Sequence, residues 1–260
     1  MLAWLNRLTR DRVTIPDDAW QAACGDIALT GCLPPPARAQ LRSHVERFLH
    51  DKRFAGAAGL ELDDDDCLRI AILACLPVTG LDYDWLRGWR EIIVYPAQFR
   101  ARREEHDEAT GVVSESHDWM AGEAWQQGPL ILSLDDILAD VAEPFAGFNL
   151  VVHEIAHKLD MLDGHADGVP PLPAAARRQW LEIFQREYTA FVAAVAAGEE
   201  TFLDPYAAEA PDEFFAVASE TYFSAPALLA QAHPDIHAQL KAFYGVELDC
   251  PVALPDAGED

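Results

Sequence analysis

Two histidines and a glutamate in residues 149–160 have the types and spacing that metal-dependent hydrolysis requires. The segment reads NLVVHEIAHKLD and places His153, Glu154 and His157 in the pattern H-E-x-x-H. On a helix, residues four apart lie on one face about 6 Å from each other, so both imidazoles can bind one zinc ion. Glu154 follows the first histidine, where its carboxylate can take a proton from a metal-bound water and pass it to the leaving group. The pattern therefore predicts hydrolysis by zinc-activated water.

The same segment has the composition of a helix packed in a protein core. Asn149 is a favourable N-cap residue, because its side chain can accept a hydrogen bond from the first helical turn. The alternative is a structural helix whose histidines only form hydrogen bonds, but burying them with a carboxylate costs free energy without a metal or other partners. We therefore expect a metal-binding helix from residue 150 to about 162. Its apolar residues are Leu150, Val151, Ile155, Ala156, Leu159 and Leu162.

A catalytic zinc ion needs a third protein ligand and an open position for water, and two residues are candidates. Glu213 lies in PDEFFAVASE, a predicted helix whose small and apolar residues can hold a carboxylate against the metal helix. Asp163 lies six residues after His157, but peptidases that use this position have a helix-breaking glycine three residues after the second histidine. Asp160 occupies that place here, so the helix is expected to continue and to carry Asp163 away. The spacing favours Glu213 and leaves Asp163 open.

Three further residues could support such a site. Glu220, two helical turns after Glu213, could accept a hydrogen bond from a ligand imidazole, or it could lie at the surface. Asp160, seven residues after His153, could do the same, anchor the helix end or be an exposed acid. Tyr206 could donate a hydrogen bond to the oxyanion of a tetrahedral intermediate, although most tyrosines at turns only pack.

The elements that must position these residues are mainly helical. Periodic apolar residues predict helices over 37–54, 67–77, 174–197, 213–224 and 237–243, and β-branched runs predict strands over 91–95 and 128–134. The strand at 130–134 could be an edge strand that pairs with an extended peptide, or an ordinary inner strand. The charged residues 101–127 are expected to form loops. The fold class is therefore α+β, mostly helical, with a small sheet.

We divide the chain into an N-terminal arm (1–36), one main domain (37–250) and a flexible acidic tail (251–260). No internal repeat or long linker separates further domains.

Composition excludes several classes of function. The chain has 260 residues, 19 Lys and Arg against 44 Asp and Glu, and a formal net charge of -25. This deficit of cations argues against binding to nucleic acid and to anionic membranes, and no apolar run is long enough to span a bilayer. The five cysteines are odd in number and form no CxxC pair, which favours reduced thiols in a cytoplasmic protein.

Several longer motifs resemble the Mlc titration factor A family of bacterial zinc metallopeptidases, whose catalytic domain is similar to that of anthrax lethal factor. The resemblance covers about residues 37 to 245. The motifs are HEIAHKLD (153–160), DPYAA (204–208), EFFAVASE (213–220) and YFSAP (222–226), with RIAILACLP (69–77), VYPAQF (94–99) and WQQGPLIL (125–132) upstream.

The resemblance implies a zincin-like metallopeptidase domain with one zinc ion per chain, bound by His153, His157 and Glu213. It also implies Glu154 as general base and Tyr206 as the group that stabilises the transition state. The expected activity is of the aminopeptidase type, on peptides in the cytoplasm. The expected partner is the glucose repressor Mlc, whose sequestration relieves repression of the sugar phosphotransferase system. The alternative is a protein that mainly binds this repressor, with a structural or weakly active metal site.

Overall fold

The computed structural model describes residues 13–97, 99–106, 113–120, 122–124 and 128–250, with backbone alone for the three ranges between 98 and 127. Most of these residues are helical, which confirms the predicted α+β class. The α-helices are α1 (Asp17–Asp26), α2 (Pro35–Asp51), α3 (Asp64–Cys75), α4 (Leu134–Ala142), α5 (Leu150–Asp160), α6 (Ala174–Ala197), α7 (Pro211–Ser224), α8 (Pro226–Ala232) and α9 (Pro234–Tyr244). Short 3-10 helices cover Ala28–Cys32, Tyr83–Leu86, Met161–Asp163 and Pro205–Ala208.

The strands form one four-stranded sheet and a separate two-stranded ribbon. They are β1 (Arg53–Gly56), β2 (Glu91–Tyr95), β3 (Phe99–His106), β4 (Val113–Met120), β5 (Gly122–Ala124) and β6 (Leu130–Ser133). The larger sheet has the order β1-β2-β6-β5, with β1, β2 and β6 parallel and β5 antiparallel to β6. Strands β3 and β4 pair in an antiparallel ribbon.

One expectation about this region is wrong, and one alternative that the sequence left open is decided. The charged segment 101–127 is not a loop where the structure describes it, because it holds most of β3 and all of β4 and β5. A strand ladder consists of backbone hydrogen bonds that any non-proline residue can make, and alternation of apolar residues is seen only where one face is buried. Strand β6 is an inner strand, and β5 lies at the edge beside it.

Local sequence explains where helix α3 begins. Helix α3 starts at a capping box, in which Asp66 N donates to Asp63 Oδ1 at 2.9 Å and Asp63 N donates to Asp66 Oδ2 at 3.3 Å. The neighbouring aspartates interact favourably with the positive end of the helix dipole. The acidic run 63–66 therefore forms the start of a helix.

The core lies between the larger sheet and the helices, and it joins α6, α7 and α9 through aromatic side chains. Trp180 stacks on Phe184 with ring centroids 4.1 Å apart, and it meets Phe215 and Phe243 edge to face. Such aromatic pairs stabilise a fold by more than the burial of their apolar area alone would contribute. This cluster holds α7 in place.

Residues 13–33 contribute Val13, Ile15, Trp20 and Leu29 to the same core, and the boundary at 36/37 stays a prediction. The tail 251–260 lies outside the described residues. In the described part of the chain, no helix is both long and apolar enough to cross a bilayer.

One lysine is buried where α2 meets the segment before β2. Lys52 Nζ donates to the carbonyl oxygens of Leu86 at 2.5 Å and Trp89 at 2.8 Å, and it lies 3.4 Å from the centre of the Trp89 ring. Burial lowers its pKa to about 7, although the two carbonyl groups and the ring favour the charged form.

Candidate metal centre

The N-terminus of α5 is held by three polar side chains. Asn149 Oδ1 accepts a hydrogen bond from Val152 N at 3.0 Å, so Asn149 is the N-cap residue as predicted. Leu150 N donates to Asp140 Oδ2 at 2.7 Å, and Asn149 N donates to Glu220 Oε2 at 2.9 Å. These bonds satisfy backbone groups that a helix cannot pair by itself. They also tie α5 to α4 and α7.

Helices α5 and α7 bring three possible ligand groups together. His153 Nε2 and His157 Nε2 are 3.1 Å apart, and Glu213 Oε2 lies 3.1 Å from the first and 3.3 Å from the second. At the corners of a tetrahedron around an ion, ligand atoms with bonds of about 2.1 Å are roughly 3.4 Å apart. The three groups therefore fit one metal ion with little movement. Among the described residues, this is the cluster of three or more such groups that could hold a metal.

The charges in the cluster favour an ionised carboxylate. Burial favours the neutral form of Glu213, but hydrogen bonds to His153 and His157 outweigh it and hold the Glu213 pKa well below its ordinary value. Burial also opposes the charging of His153, yet contacts with Glu213 and Glu220 keep the imidazole pKa well above normal. A ligand carboxylate must be ionised, and Glu213 meets this condition.

Glu220 lies behind His153 rather than at the surface. Its side chain is only 8% exposed, and its Oε1 is 3.4 Å from His153 Nδ1. Because Oε2 holds Asn149 N, the carboxylate connects the start of α5 to the imidazole. A group in this position fixes the orientation of the ring and of its opposite nitrogen.

Glu154 is buried beside the cluster with unused hydrogen-bonding capacity. Its Oε2 has no hydrogen-bond partner in the described part of the chain. Burial raises its pKa to about 7, although the charges of His153 and His157 act in the opposite direction. An acceptor of this basicity next to a metal centre can exchange a proton with a water molecule at neutral pH.

Tyr206 lies at the mouth of the site on the Pro205–Ala208 turn. Asp204 Oδ1 accepts a hydrogen bond from Tyr206 N at 2.8 Å, which starts the turn. The Tyr206 ring centre is 6.2 Å from that of His153, and the residue is 45% exposed. Burial of the hydroxyl and the neighbouring Glu213 raise the phenol pKa, so the hydroxyl remains protonated and can donate.

Asp160 anchors the far end of α5. It is fully buried, and its Oδ2 accepts a hydrogen bond from Gly168 N at 2.8 Å. Trp180 Nε1 donates to Gly168 O at 2.8 Å, so the loop after α5 is fixed from both sides. Gly168 has φ +74°, and a Cβ there would lie 2.4 Å from Pro211 O at the start of α7.

Asp163, the other candidate ligand, lies apart from the cluster. It is exposed in the 3-10 turn that follows α5, and its Oδ1 is 3.4 Å from His165 N. The helical conformation continues past Asp160 as the sequence predicts, and it carries Asp163 away from the histidines.

Sequence reasoning missed three groups that position the site. Asp140 accepts a hydrogen bond from Leu150 N at the start of α5, and Lys158 Nζ donates to Gly128 O at 3.0 Å, which ties α5 to the residues just before β6. Gly168 permits the close approach of the loop to α7. Of these three, only Gly168 had a signal in the sequence, because a glycine in a loop rich in Pro and Asp suggests a tight turn or a close contact. The contacts of Asp140 and Lys158 join residues with no periodic relation.

Comparison with known proteins gives a consistent family assignment. The model of the family described as glucose-regulated metallo-peptidase M90 matches residues 2–245. Curated relatives named Mlc titration factor A include one from Escherichia coli strain SMS-3-5, which is 39% identical over 235 residues, 86% of this chain and 84% of the relative. Relatives with the same name from Escherichia fergusonii and Shigella boydii are each 38% identical, covering 87% and 86% of this chain and 85% and 84% of the relatives.

Proposed function

Since the chain belongs to the glucose-regulated metallo-peptidase M90 family, we propose that it is a zinc-dependent peptidase of the aminopeptidase type. The observation that carries the proposal is the convergence of His153 Nε2, His157 Nε2 and Glu213 Oε2 beside the buried Glu154 carboxylate. Two imidazoles and one carboxylate are a donor set of catalytic zinc sites. The aminopeptidase type rests on the sequence resemblance.

Each residue has a distinct role in this proposal. When bound, zinc polarises the scissile carbonyl and lowers the pKa of water to about 7. Glu154 Oε2, which has no hydrogen-bond partner among the described residues, accepts a proton from the attacking water and delivers it to the leaving amine. The Tyr206 hydroxyl donates a hydrogen bond to the carbonyl oxygen as negative charge develops there. Glu220 holds the His153 ring so that Nε2 faces the ion.

Strand β5 is the proposed partner of the substrate backbone. It pairs with β6 on one side, and in the described chain no strand pairs with its other side. It also contacts α5, which carries the histidines. An extended peptide that adds to this edge would form backbone hydrogen bonds and lie across the metal centre.

A regulatory partner is the second part of the proposal. The relatives' name, Mlc titration factor A, says that they titrate Mlc, and we propose that this chain binds the glucose repressor Mlc in the cytoplasm. The same name supports an alternative in which repressor binding is the main function and the metal site is weakly active or structural.

Glu154→Gln tests the catalytic proposal, because it keeps the size of the side chain and removes its basicity. Hydrolysis of amino-terminal chromogenic peptides should fall about 10²- to 10⁴-fold while zinc content stays at one ion per chain. Glu182→Gln, an exposed glutamate on α6, is the matched control and should behave as wild type. Full activity in Glu154→Gln would exclude Glu154 as the base. Zinc binding and Mlc capture by a wild type without hydrolytic activity would favour the alternative.

A further inference from the structure

Two exposed phenylalanine residues line a small cavity formed by the segments that flank the metal-centre residues. Large apolar residues with high exposure in the described chain are Phe148 (49%), Tyr206 (45%), Phe202 (42%) and Leu138 (41%). Phe148 and Phe202 line a cavity of about 70 Å³ between α7, α8 and the turns before α5 and before Tyr206. Exposed apolar groups gathered at one place on a surface commonly mark a binding site.

We propose that this cavity, whose lining residues mostly have apolar side chains, receives an aliphatic side chain of the substrate residue next to the scissile bond. The inference rests on the proposed peptidase function and adds the class of side chain that the enzyme selects.

One wall of the cavity lies on α7, the helix that also carries Glu213. Val217 and Thr221 line it at positions four and eight residues after Glu213 on α7, and Ala225, the residue that follows the helix, lines it as well. Residues four apart on a helix follow one stripe with a rise of about 6 Å per step, so Val217 is the next neighbour of Glu213 along this face. A peptide whose carbonyl group reaches the metal centre therefore has an adjacent side chain within reach of the cavity.

The other walls begin at groups that also belong to the site. Gly147 and Phe148 precede Asn149, the N-cap residue of the metal helix, and Thr221 Oγ1 lies 3.3 Å from Gly147 O. Phe202 lies four residues before Tyr206. All three segments that carry proposed catalytic or metal-binding groups thus continue into the cavity.

Size and charge define the occupant. One water-sized atom needs roughly 10–15 Å³ of such space, so a cavity of about 70 Å³ holds about five heavy atoms. The four side-chain carbon atoms of leucine or isoleucine fit, whereas an indole ring does not. The carboxylate of Asp204, which lines the cavity, repels an acidic side chain.

The test compares two series of tripeptide substrates, X-Gly-Gly and Gly-X-Gly, in which X is Gly, Leu, Trp or Glu. The enzyme is loaded with zinc before each assay. Cleavage of the first bond is followed by chromatography. One series should show a value of kcat/KM for Leu at least about 10-fold above that for Gly, with Trp and Glu no better than Gly, because a filled apolar pocket discriminates by this order.

Variants identify the cavity as the cause. Val217→Phe fills it and should remove the preference for Leu while retaining cleavage of the Gly peptide. Phe202→Ala opens the exposed rim and should reduce the Leu-to-Gly ratio several-fold without the folding risk of a buried substitution. Leu138→Ala is the matched control, because Leu138 is equally exposed but lies outside the cavity lining, and it should keep the wild-type ratio.

The outcomes separate the two proposals. If wild type cleaves all peptides without preferring Leu, or if Phe202→Ala and Leu138→Ala leave the ratio equally unchanged, the cavity assignment is overturned and the peptidase function stands. If wild type with one zinc per chain cleaves no peptide in either series, both proposals are overturned.

Discussion

Glu220→Gln isolates the contribution of a carboxylate that touches the metal centre only through His153. Glutamine keeps the side-chain length and an oxygen acceptor for Asn149 N, which now donates to Glu220 Oε2 at 2.9 Å. The substitution removes the negative charge that faces His153 Nδ1 at 3.4 Å. We therefore expect a folded protein whose metal centre binds zinc more weakly.

The size of the effect follows from this geometry. Hydrogen bonds to charged groups contribute roughly 1.5–3 kcal/mol, and a separation of 3.4 Å places this contact in the lower half of that range. A loss of about 1.5–2 kcal/mol corresponds to zinc affinity about 10- to 30-fold weaker, since each 1.4 kcal/mol is a factor of ten. This agrees with the general cost of removing a residue that orients a ligand imidazole.

The assay is competition for zinc with a fluorescent chelator at fixed pH, together with thermal unfolding of the metal-free protein. Asp140→Asn is the matched control, because Asp140 Oδ2 accepts Leu150 N at the same end of α5. It should change zinc affinity by less than about threefold, which is a small part of the cost of a hydrogen bond. Equal weakening in both variants would mean that Glu220 acts through the helix end and not through the imidazole, and the reasoning would be refuted.

Three other predictions concern the ligands, the loop after α5 and the buried lysine. Glu213→Ala should abolish stoichiometric zinc binding in metal analysis, whereas Asp163→Ala should retain it, because Asp163 lies outside the cluster; the reverse result would make Asp163 the ligand. Gly168→Ala should cost about 1–3 kcal/mol more in urea unfolding than Gly198→Ala. Both glycines have positive φ (+74° and +71°), but a Cβ at position 168 would lie 2.4 Å from Pro211 O, whereas one at 198 meets no described atom within 4 Å; equal costs would contradict the close approach. Lys52 has a pKa of about 7 in the folded protein and about 10.4 in the unfolded chain. Between these two pH values the unfolded chain binds more protons, so the free energy of unfolding rises with pH by up to about 1.4 kcal/mol per pH unit. The penalty is fully present below pH 7 and absent above the unfolded pKa, and Lys52→Met should flatten this slope in urea unfolding from pH 7 to 9; an unchanged slope would show that Lys52 is charged when folded.

Much of the candidate site could be predicted from local sequence. The spacing of His153 and His157 puts both rings on one face because helical periodicity is a property of neighbouring residues, and the structure shows them together. Asp160 stands where a helix-breaking glycine would be, which indicated that the helix would continue, and the chain does continue as a 3-10 helix over Met161–Asp163. The proximity of Glu213 followed from the character of its helix, although spacing alone left Asp163 open.

The remaining parts depend on contacts between distant segments. Glu220 could have been at the surface, and its contact with His153 requires α5 and α7 to pack. Asp160 is a buried anchor only because the loop bends back to place Gly168 N against it. The charged strands β3 and β4 lack a periodic apolar signal, and the inner position of β6 is decided by its pairing with β5.

The sequence by itself determined the helix over 174–197, the strands near 91–95 and 130–133, and the residue types available for metal chemistry, because these depend on periodicity, capping and composition within a few turns. Tertiary structure decided which carboxylates face the imidazoles, which acids are buried, and where a cavity opens beside them. Those outcomes depend on the packing of segments about 60 to 70 residues apart, and no local pattern encodes a distance that only the assembled core imposes.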